Sequence, residues 1–465
     1  MVKQKLVKLI GMLSHFSPVR VLVVGDFMVD TYTTGKVKRI SPEAPVSVLH
    51  VQKEESRPGG AGNVVLNLIS LGAKVTAVGR VGHDIAGEQL RFSLESEGVD
   101  AECIVTQRGF KTPVKNRLIA DAQQVLRVDF ETITPLPIEL EQVVIEKLPS
   151  LLDSVQIVAI SDYSKGFLTR DLLRAVIDLA NERGVPVIVD PKGDDFSRYQ
   201  NATILKPNLL EAYTAAKLPL EASLEEVSQT LLQECNVNKV LVTRSEAGMS
   251  LFTREQQRFD FPVRSKEVKD VTGAGDTVLA MISVALGSGL DIKYAAQLAN
   301  IAAGMAIERL GCASINLSDF AARLLEFDVD NKIFDEEHLF AMQQALRGKR
   351  YAVLGLDSAQ GMTTALFRSI RKVACRSEGK KLIVYVRDND PDAEFVSLLS
   401  SLAEVDFIVL KCESLKNLCA IIHPHEVFVI EGSDLISLDH ATALLSRLQS
   451  IQVEAAAPCD TPAPV

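Results

Sequence analysis

The chain contains no apolar run approaching the length of a bilayer span, and no internal repeat or long low-complexity tract. It has no CxxC pair, no HExxH pair and no GxxxxGK loop followed by Ser or Thr. Each absence removes a class of function. Without the last motif, a P-loop route to phosphate chemistry is excluded. The seven cysteines (Cys103, Cys235, Cys312, Cys375, Cys412, Cys419 and Cys459) are scattered and odd in number, which predicts reduced thiols rather than a disulfide framework. His423 and His425 flank Pro424, a weak spacing for a metal. Basic excess is missing too: 50 Lys and Arg stand against 60 Asp and Glu, a formal charge of -10. That balance argues against binding nucleic acid or an anionic membrane. Lys3, Lys5 and Lys8 interrupt the first apolar stretch, while Leu6, Leu9, Ile10 and Leu13 recur at helical spacing. An amphipathic packing helix fits better than a signal peptide, and the expectation is a soluble cytoplasmic chain.

At 465 residues and 47% apolar content, two or three well-filled domains are expected. Buried-strand runs occur at Val21–Val24, Ile157–Ile160, Val187–Val189 and Val240–Val242, each ending in a polar residue or turn. Helical patterns at Leu172–Ala180 and Leu224–Leu232 lie between them. This alternation predicts an α/β fold with a parallel sheet covered on both faces, binding its ligand beyond the carboxyl ends of the strands. Thr31–Gln52 and Ala101–Phe130 break the pattern with alternating, β-branched residues. They read as short strands of a small projecting sheet, either a lid or an ordinary edge hairpin. The division expected is a domain over 1–327, a connector over 328–348, a second α/β domain over 349–454 and a disordered tail over 455–465. Strand runs at Tyr351–Leu354, Leu382–Val386, Phe407–Leu410 and Val427–Ile430 define the second domain.

The most specific local feature is Asp270-Val-Thr-Gly-Ala-Gly-Asp276, which runs directly into the apolar stretch Thr277–Ala285. Gly273 and Gly275 allow a tight turn that bares main-chain N–H groups at a helix start, where the helix dipole also favours phosphate oxygens. Asp276 then stands beside an anion hole formed by the amides of Gly273, Ala274 and Gly275, able to take a proton from an attacking hydroxyl. An Asp at a helix start is equally a common cap. Both readings are open on the motif alone.

Further segments follow in order: Gly25-Asp-Phe-Met-Val-Asp30, Arg39-Ile-Ser-Pro-Glu-Ala-Pro-Val46 and Gly59-Gly-Ala-Gly-Asn63. Then come Ser161-Asp-Tyr-Ser-Lys-Gly166, Asp190-Pro-Lys-Gly-Asp194, Lys206-Pro-Asn-Leu-Leu-Glu211 and Val242-Thr-Arg-Ser-Glu-Ala-Gly248. The series resembles the ribokinase-type carbohydrate kinase family over about residues 15–325. Its RISPEAPV, DPKG and VTRSEAGM segments look most like the D-glycero-β-D-manno-heptose 7-phosphate kinase domain. The resemblance implies a ribokinase-like three-layer sandwich with a small β lid. It also implies ATP and Mg2+ as cofactors, a sugar phosphate as acceptor, transfer to the anomeric C1 hydroxyl and a homodimer formed through the lid. By carry-over, Asp30, Gly59, Gly60 and Asn63 clamp the sugar, and Asn208, Glu211, Thr243, Arg244, Gly248 and Asn300 serve the nucleotide. Glu211 would reach the metal through water. The N-x-x-E spacing of Asn208 and Glu211 is also that of a helix capping box, and the two roles can coexist. An acceptor phosphate needs a second cationic pocket, for which Arg39, Lys115, Arg117 and Arg127 are the candidates.

Two-domain relatives of that kinase carry a nucleotidyltransferase, with a G-x-F-D-x-x-H-x-G-H stretch after its first strand. Here that stretch reads Gly355-Leu-Asp-Ser-Ala-Gln-Gly-Met-Thr-Thr364, with Gly361 and Thr364 at the histidine positions. The second domain is therefore expected to keep a Rossmann-like nucleotidyltransferase fold without its chemistry. Competing expectations are a ribokinase-type kinase for another sugar and a non-catalytic sugar-binding regulator.

Overall fold

The computed structural model describes residues 9–438, apart from 122, 264–267, 310, 327–331, 377–379, 389, 411 and 433. The expected tail over 455–465 and the lysines at 3, 5 and 8 lie outside the described residues. Contacts divide the chain into two units, Phe16–Asn316 and Met1–His15 with Leu317–Val465. The amphipathic start thus belongs with the C-terminal unit, because Leu9, Ile10 and Leu13 are fully buried there. The described part of the expected connector is not loose chain. It carries a helix at Leu339–Leu346 whose Leu339, Ala341, Met342, Ala345 and Leu346 are buried.

The strands of the first unit, in chain order, are β1 (Arg20–Gly25), β2 (Phe27–Ile40), β3 (Ser47–Gly60), β4 (Lys74–Gly82), β5 (Asp100–Gln107), β6 (Val114–Ala120) and β7 (Gln123–Phe130). They continue with β8 (Ile157–Ser161), β9 (Val187–Asp190), β10 (Ile204–Leu205), β11 (Lys239–Thr243), β12 (Met249–Thr253) and β13 (Arg258–Phe261). Nine of them among the described residues form one sheet, ordered β13-β12-β11-β10-β9-β8-β1-β4-β5. It is parallel except at β12 and β13. The near-continuous apolar runs of β1, β8 and β9 follow from burial on both faces. Leu22, Val24, Val158 and Ile160 face a core filled by the helix Arg170–Glu182, whose Leu172, Leu173, Val176, Ile177 and Ala180 form one apolar stripe. The helices Ala61–Ser70 and Ala274–Gly287 also pack on β1 and β8, completing three layers. Gly25, Ser161 and Asp190 pair in one row, so the strand ends present their polar residues side by side.

A separate four-stranded sheet has the order β3-β2-β6-β7. This is the projecting sheet expected from the alternating segments, with two corrections. Its strands β2 and β3 are long, with 14 residues each. The segment 100–107 is not part of it: β5 pairs parallel with β4 at the edge of the main sheet, where Ala101, Cys103 and Ile104 are buried. The helix Ile85–Ser96 supplies the crossover that a parallel pairing requires.

The second unit has its own sheet of β14 (Ile333–Phe334), β15 (Tyr351–Leu356), β16 (Lys381–Val386), β17 (Phe407–Val409), β18 (Glu426–Glu431) and β19 (Asp434–Ser437). The order is β14-β17-β16-β15-β18-β19, with only β19 antiparallel among the described strands. All four strand runs expected there form strands. His425 meets the Tyr351 ring edge-on at 5.7 Å, a packing contact. No described helix is long and apolar enough to cross a membrane.

Candidate active site

The site begins with the backbone at Gly273. Its φ of 79° is left-handed, and a Cβ there would lie 2.8 Å from the Asn63 amide nitrogen. Glycine meets both conditions at once. It caps the helix Ala274–Gly287 with no side-chain acceptor, leaving the first-turn donors open. Ala274 N–H turns back to the Val271 carbonyl at 3.3 Å. The N–H groups of Gly273, Gly275 and Asp276 have no acceptor among the described residues. Open main-chain donors thus stand at this helix start as expected for Gly273 and Gly275, while Ala274 N–H is engaged and that of Asp276 is open in its place.

Asp276 is not the helix cap, since Gly273 holds that position. Its carboxylate is buried and held on both oxygens. Asn63 Nδ2 donates to Oδ2 at 2.6 Å, and the Tyr163 hydroxyl donates to Oδ1 at 2.7 Å. Burial raises the Asp276 pKa from 3.8 to about 6; Asp190 adds to the rise, while the two hydrogen bonds and Lys206 oppose it. That value suits a base that is ionised at neutral pH yet basic enough to take a proton. Beneath Gly275 lies a buried ion pair, Lys206 Nζ to Asp190 Oδ1 at 2.8 Å. A Cβ on Gly275 would come within 3.4 Å of that ammonium. Tyr163, Lys206 and Asp190 were not singled out as site residues in the sequence, because residues from three separate loops converge only after folding.

On the neighbouring side, Gly59 and Gly60 let the chain pass close to Asp30. A Cβ at Gly59 would fall 2.2 Å from the Asp30 carboxylate, and Gly60 has a φ of 56°. Asp30 and Arg117 form a buried ion pair at 2.5 Å, with the Arg117 guanidinium 5.2 Å from the centre of the Tyr32 ring. Cys312 Sγ approaches Asp30 at 3.9 Å.

The four basic candidates separate. Arg117 is occupied by Asp30. Arg39 is exposed on the outer part of β2, and Arg127 is exposed and paired with Asp129 at 2.8 Å. Lys115 is half-buried, 5.5 Å from the centre of the Tyr163 ring, and has no ion-pair partner among the described residues. Burial, aided by Lys165, lowers its pKa.

A cleft of about 470 Å³ opens on the other side of the helix start, lined by Thr243, Gly248, Val271, Gly275, Asn300 and Gly304. Three of the nucleotide candidates, Thr243, Gly248 and Asn300, thus share one cavity with Gly275. Gly248 has a φ of 83° and sits against the Phe261 carbonyl. Asn300 Nδ2 donates to Pro262 O at 2.8 Å. Arg244 is not on the wall: it bonds to Asp260 at 3.2 Å and to Ala247 O at 3.1 Å. Asn208 and Glu211 form a reciprocal capping box, both bonds at 2.9 Å. The other Glu211 oxygen pairs with Lys192 at 2.6 Å. With both oxygens engaged, Glu211 fits contact with a cation through water rather than direct ligation.

The chain is similar to known proteins in sequence and in fold. Residues 19–319 match the model of the pfkB family carbohydrate kinases. The bifunctional protein HldE of Trichlorobacter lovleyi is 42% identical over 337 residues, covering 72% of this chain and 69% of that protein. The bifunctional protein HldE of Geobacter metallireducens is 36% identical over 433 residues, covering 86% and 85%. Among solved structures, Arabidopsis thaliana ribokinase complexed with ribose and ATP has a TM-score of 0.53 at 20% identity, covering 66% of this chain and 99% of that one. Escherichia coli phosphofructokinase-2 in complex with fructose-6-phosphate has the same TM-score, identity and coverage. These two likenesses show a shared fold, ribokinase-like in the first unit. With the family match spanning nearly all of its first unit, the chain belongs to the pfkB family of carbohydrate kinases.

Proposed function

We propose that the chain transfers the γ-phosphoryl group of ATP to the anomeric C1 hydroxyl of D-glycero-D-manno-heptose 7-phosphate. The product is heptose 1,7-bisphosphate, a precursor of ADP-heptose for the lipopolysaccharide core. The observation that carries the reading is the Asp276 carboxylate, desolvated and held beside open amides at the end of the cleft. The acceptor hydroxyl gives its proton to Asp276 as its oxygen bonds to the γ-phosphorus. The bond from that phosphorus to the β–γ bridging oxygen breaks, and ADP leaves. The N–H groups of Gly273, Gly275 and Asp276 stabilise the negative charge that gathers on the transferred group. Thr243, Gly248 and Asn300 line the space for the nucleotide. Magnesium, arriving with the nucleotide, would be held by its phosphates and through water by Glu211, screening their charge. Asp30, Asn63 and the backbone at Gly59 and Gly60 contact the sugar.

Heptose 7-phosphate as acceptor is supported by the RISPEAPV, DPKG and VTRSEAGM segments and by the identity to HldE proteins. Lys115, an ammonium with no ion-pair partner among the described residues, is the best-placed group for the 7-phosphate. The second unit has the layout of a nucleotidyltransferase-like domain without its chemistry. At its expected phosphate loop, Asp388 accepts the Ser358 N–H and Asp357 pairs with Arg387, which supports a loop unsuited to phosphate. Val125, Leu126 and Phe130 are exposed apolar residues on the edge strand β7, which suits a homodimer through the lid in a cytoplasmic enzyme. Product analysis with both anomers of heptose 7-phosphate and ATP tests the reading. Formation of the 1,7-bisphosphate from one anomer supports it. No transfer to either anomer, with turnover of another sugar in a substrate panel, overturns it.

A further inference from the structure

We propose that Tyr163 is the positioning residue for the base of this kinase: its hydroxyl holds Asp276 Oδ1 so that the carboxylate plane faces the acceptor hydroxyl. The proposal rests on the reading of Asp276 as the base.

A carboxylate turns easily about its Cβ–Cγ bond, and burial alone does not orient it. Two donors from separate elements do. Asn63 comes from the first turn of the helix Ala61–Ser70 and binds Oδ2, while Tyr163 comes from the loop after β8 and binds Oδ1. The Asn63 side chain is itself tied by Asn67, whose Nδ2 donates to Asn63 Oδ1 at 3.3 Å and to the Asn63 main-chain carbonyl at 2.9 Å. Each oxygen accepts one protein bond and keeps a second lone pair for the incoming hydroxyl.

The loop carrying Tyr163 is built to be rigid. The buried carboxylate of Asp26 accepts the backbone N–H of Tyr163 at 3.0 Å, of Lys165 at 2.9 Å and of Phe167 at 3.3 Å. Ser164 has a φ of 54° and donates its N–H to Asp162 at 2.7 Å. Gly166 has a φ of 91° where a Cβ would collide with the Thr134 carbonyl. A loop that serves only as a connection does not need a buried carboxylate beneath three of its amides.

The surroundings keep Tyr163 a donor. Burial and the nearby carboxylates of Asp276 and Asp190 push its pKa well above the usual phenol value, so it stays neutral. The other charged or titratable groups facing Asp276 are Asp190, Lys206 and Cys312. Asp190 and Lys206 are paired with each other, and burial keeps the Cys312 thiol protonated. Tyr163 therefore supplies a bond to the ionised carboxylate that no other described titratable side chain replaces.

The test is Tyr163→Phe, which keeps the ring and its contact with Lys115 and removes only the hydroxyl. The pH profile of kcat/KM is measured with whichever sugar the native enzyme phosphorylates. Losing a bond to the charged form raises the Asp276 pKa further, so the acid limb should move up by about 0.5–1 in pH. The kcat at neutral pH should fall about tenfold or more, with KM for the nucleotide changing less than about twofold. An unmoved acid limb with native kcat overturns the proposal. Carbon-13 NMR of aspartate-labelled, ligand-free protein follows the same carboxyl without any substrate, its signal assigned with Asp276→Asn. If the native protein phosphorylates no sugar, the proposed function fails, while this titration still decides the role of Tyr163. Should the phenylalanine variant not fold, 3-fluorotyrosine placed at position 163 alone, which keeps the hydroxyl and makes it a more acidic donor, must shift the Asp276 titration; no shift overturns the proposal.

Discussion

Two turns in this molecule, one between the edge strand β13 and the helix Ala274–Gly287 and the other after the buried parallel strand β15, treat their main-chain donors in opposite ways. In the first unit, the turn at Gly273 leaves the N–H groups of Gly273, Gly275 and Asp276 without acceptors among the described residues. In the second unit, the turn after β15 gives its Ser358 N–H to Asp388 and binds Asp357 to Arg387. Both are α/β sheets, and both would gather ligands beyond the strand ends. The shared architecture permits a phosphate site in either unit, and under the proposed function it is the unspent donors of the first that serve one. A carboxylate already sitting on the amide repels a phosphate and occupies its place.

The comparison can be broken most directly at Asp276. Asp276→Asn should fold and lose about 10²–10⁴-fold in turnover, measured as phosphate transfer. Near-native turnover in the folded variant would remove the base from the first loop. Next in size, the full chain should make no detectable ADP-heptose from heptose 1-phosphate and ATP. Robust synthesis would mean that Asp357 and Asp388 do not block the second loop. Lys115→Ala should raise KM for a phosphorylated acceptor about tenfold or more, while Arg127→Ala changes it less than about twofold. The reverse ranking would move the acceptor phosphate to the exposed end of the lid.

A further effect is on stability. Burial raises Asp276 above its usual value, so the folded chain holds a proton that the unfolded chain has released between about pH 4 and about 6. This group favours folding fully below its unfolded pKa, and that advantage is lost as pH rises through about 6. Asp276→Asn removes the buried charge and should stabilise the protein at pH 7.5 by up to about 3 kcal/mol, with the gain fading near pH 4. Denaturant melts at the two pH values check the sign. A loss of stability at pH 7.5 would mean that the bonds from Asn63 and Tyr163 outweigh the cost of burial.

Much of the fold was legible. The runs at β1, β8, β9 and β11 are apolar on both faces, and only a sheet covered twice can bury them. The second unit's four runs were equally readable. The segment 100–107 was misassigned to the lid because its alternation suits either sheet. Burial of Ala101, Cys103 and Ile104 against the main body decided it. The boundary was displaced because the helix Leu339–Leu346 and the chain start share a core that no local pattern announces.

In the candidate site, Gly273, Gly275 and Asp276 could be named from one heptapeptide, since backbone geometry at a helix start is a local property. That Asp276 is bonded by its neighbours could not, although Asn63 was named for the sugar. Tyr163, Asn63, Asp190 and Lys206 come from separate segments, and a side chain's charge and pKa depend on neighbours brought in by packing. The same is true of the basic residues. Sequence supplied Arg39, Lys115, Arg117 and Arg127 as equals. Only the tertiary structure paired Arg117 with Asp30, left Arg39 and Arg127 at the surface and placed Lys115 over Tyr163. Strand order, helix starts and the glycine turn are written along the chain because they follow from short-range sterics and periodicity. Which charges are satisfied, and which remain for a ligand, is settled only when distant segments meet in a medium of low dielectric.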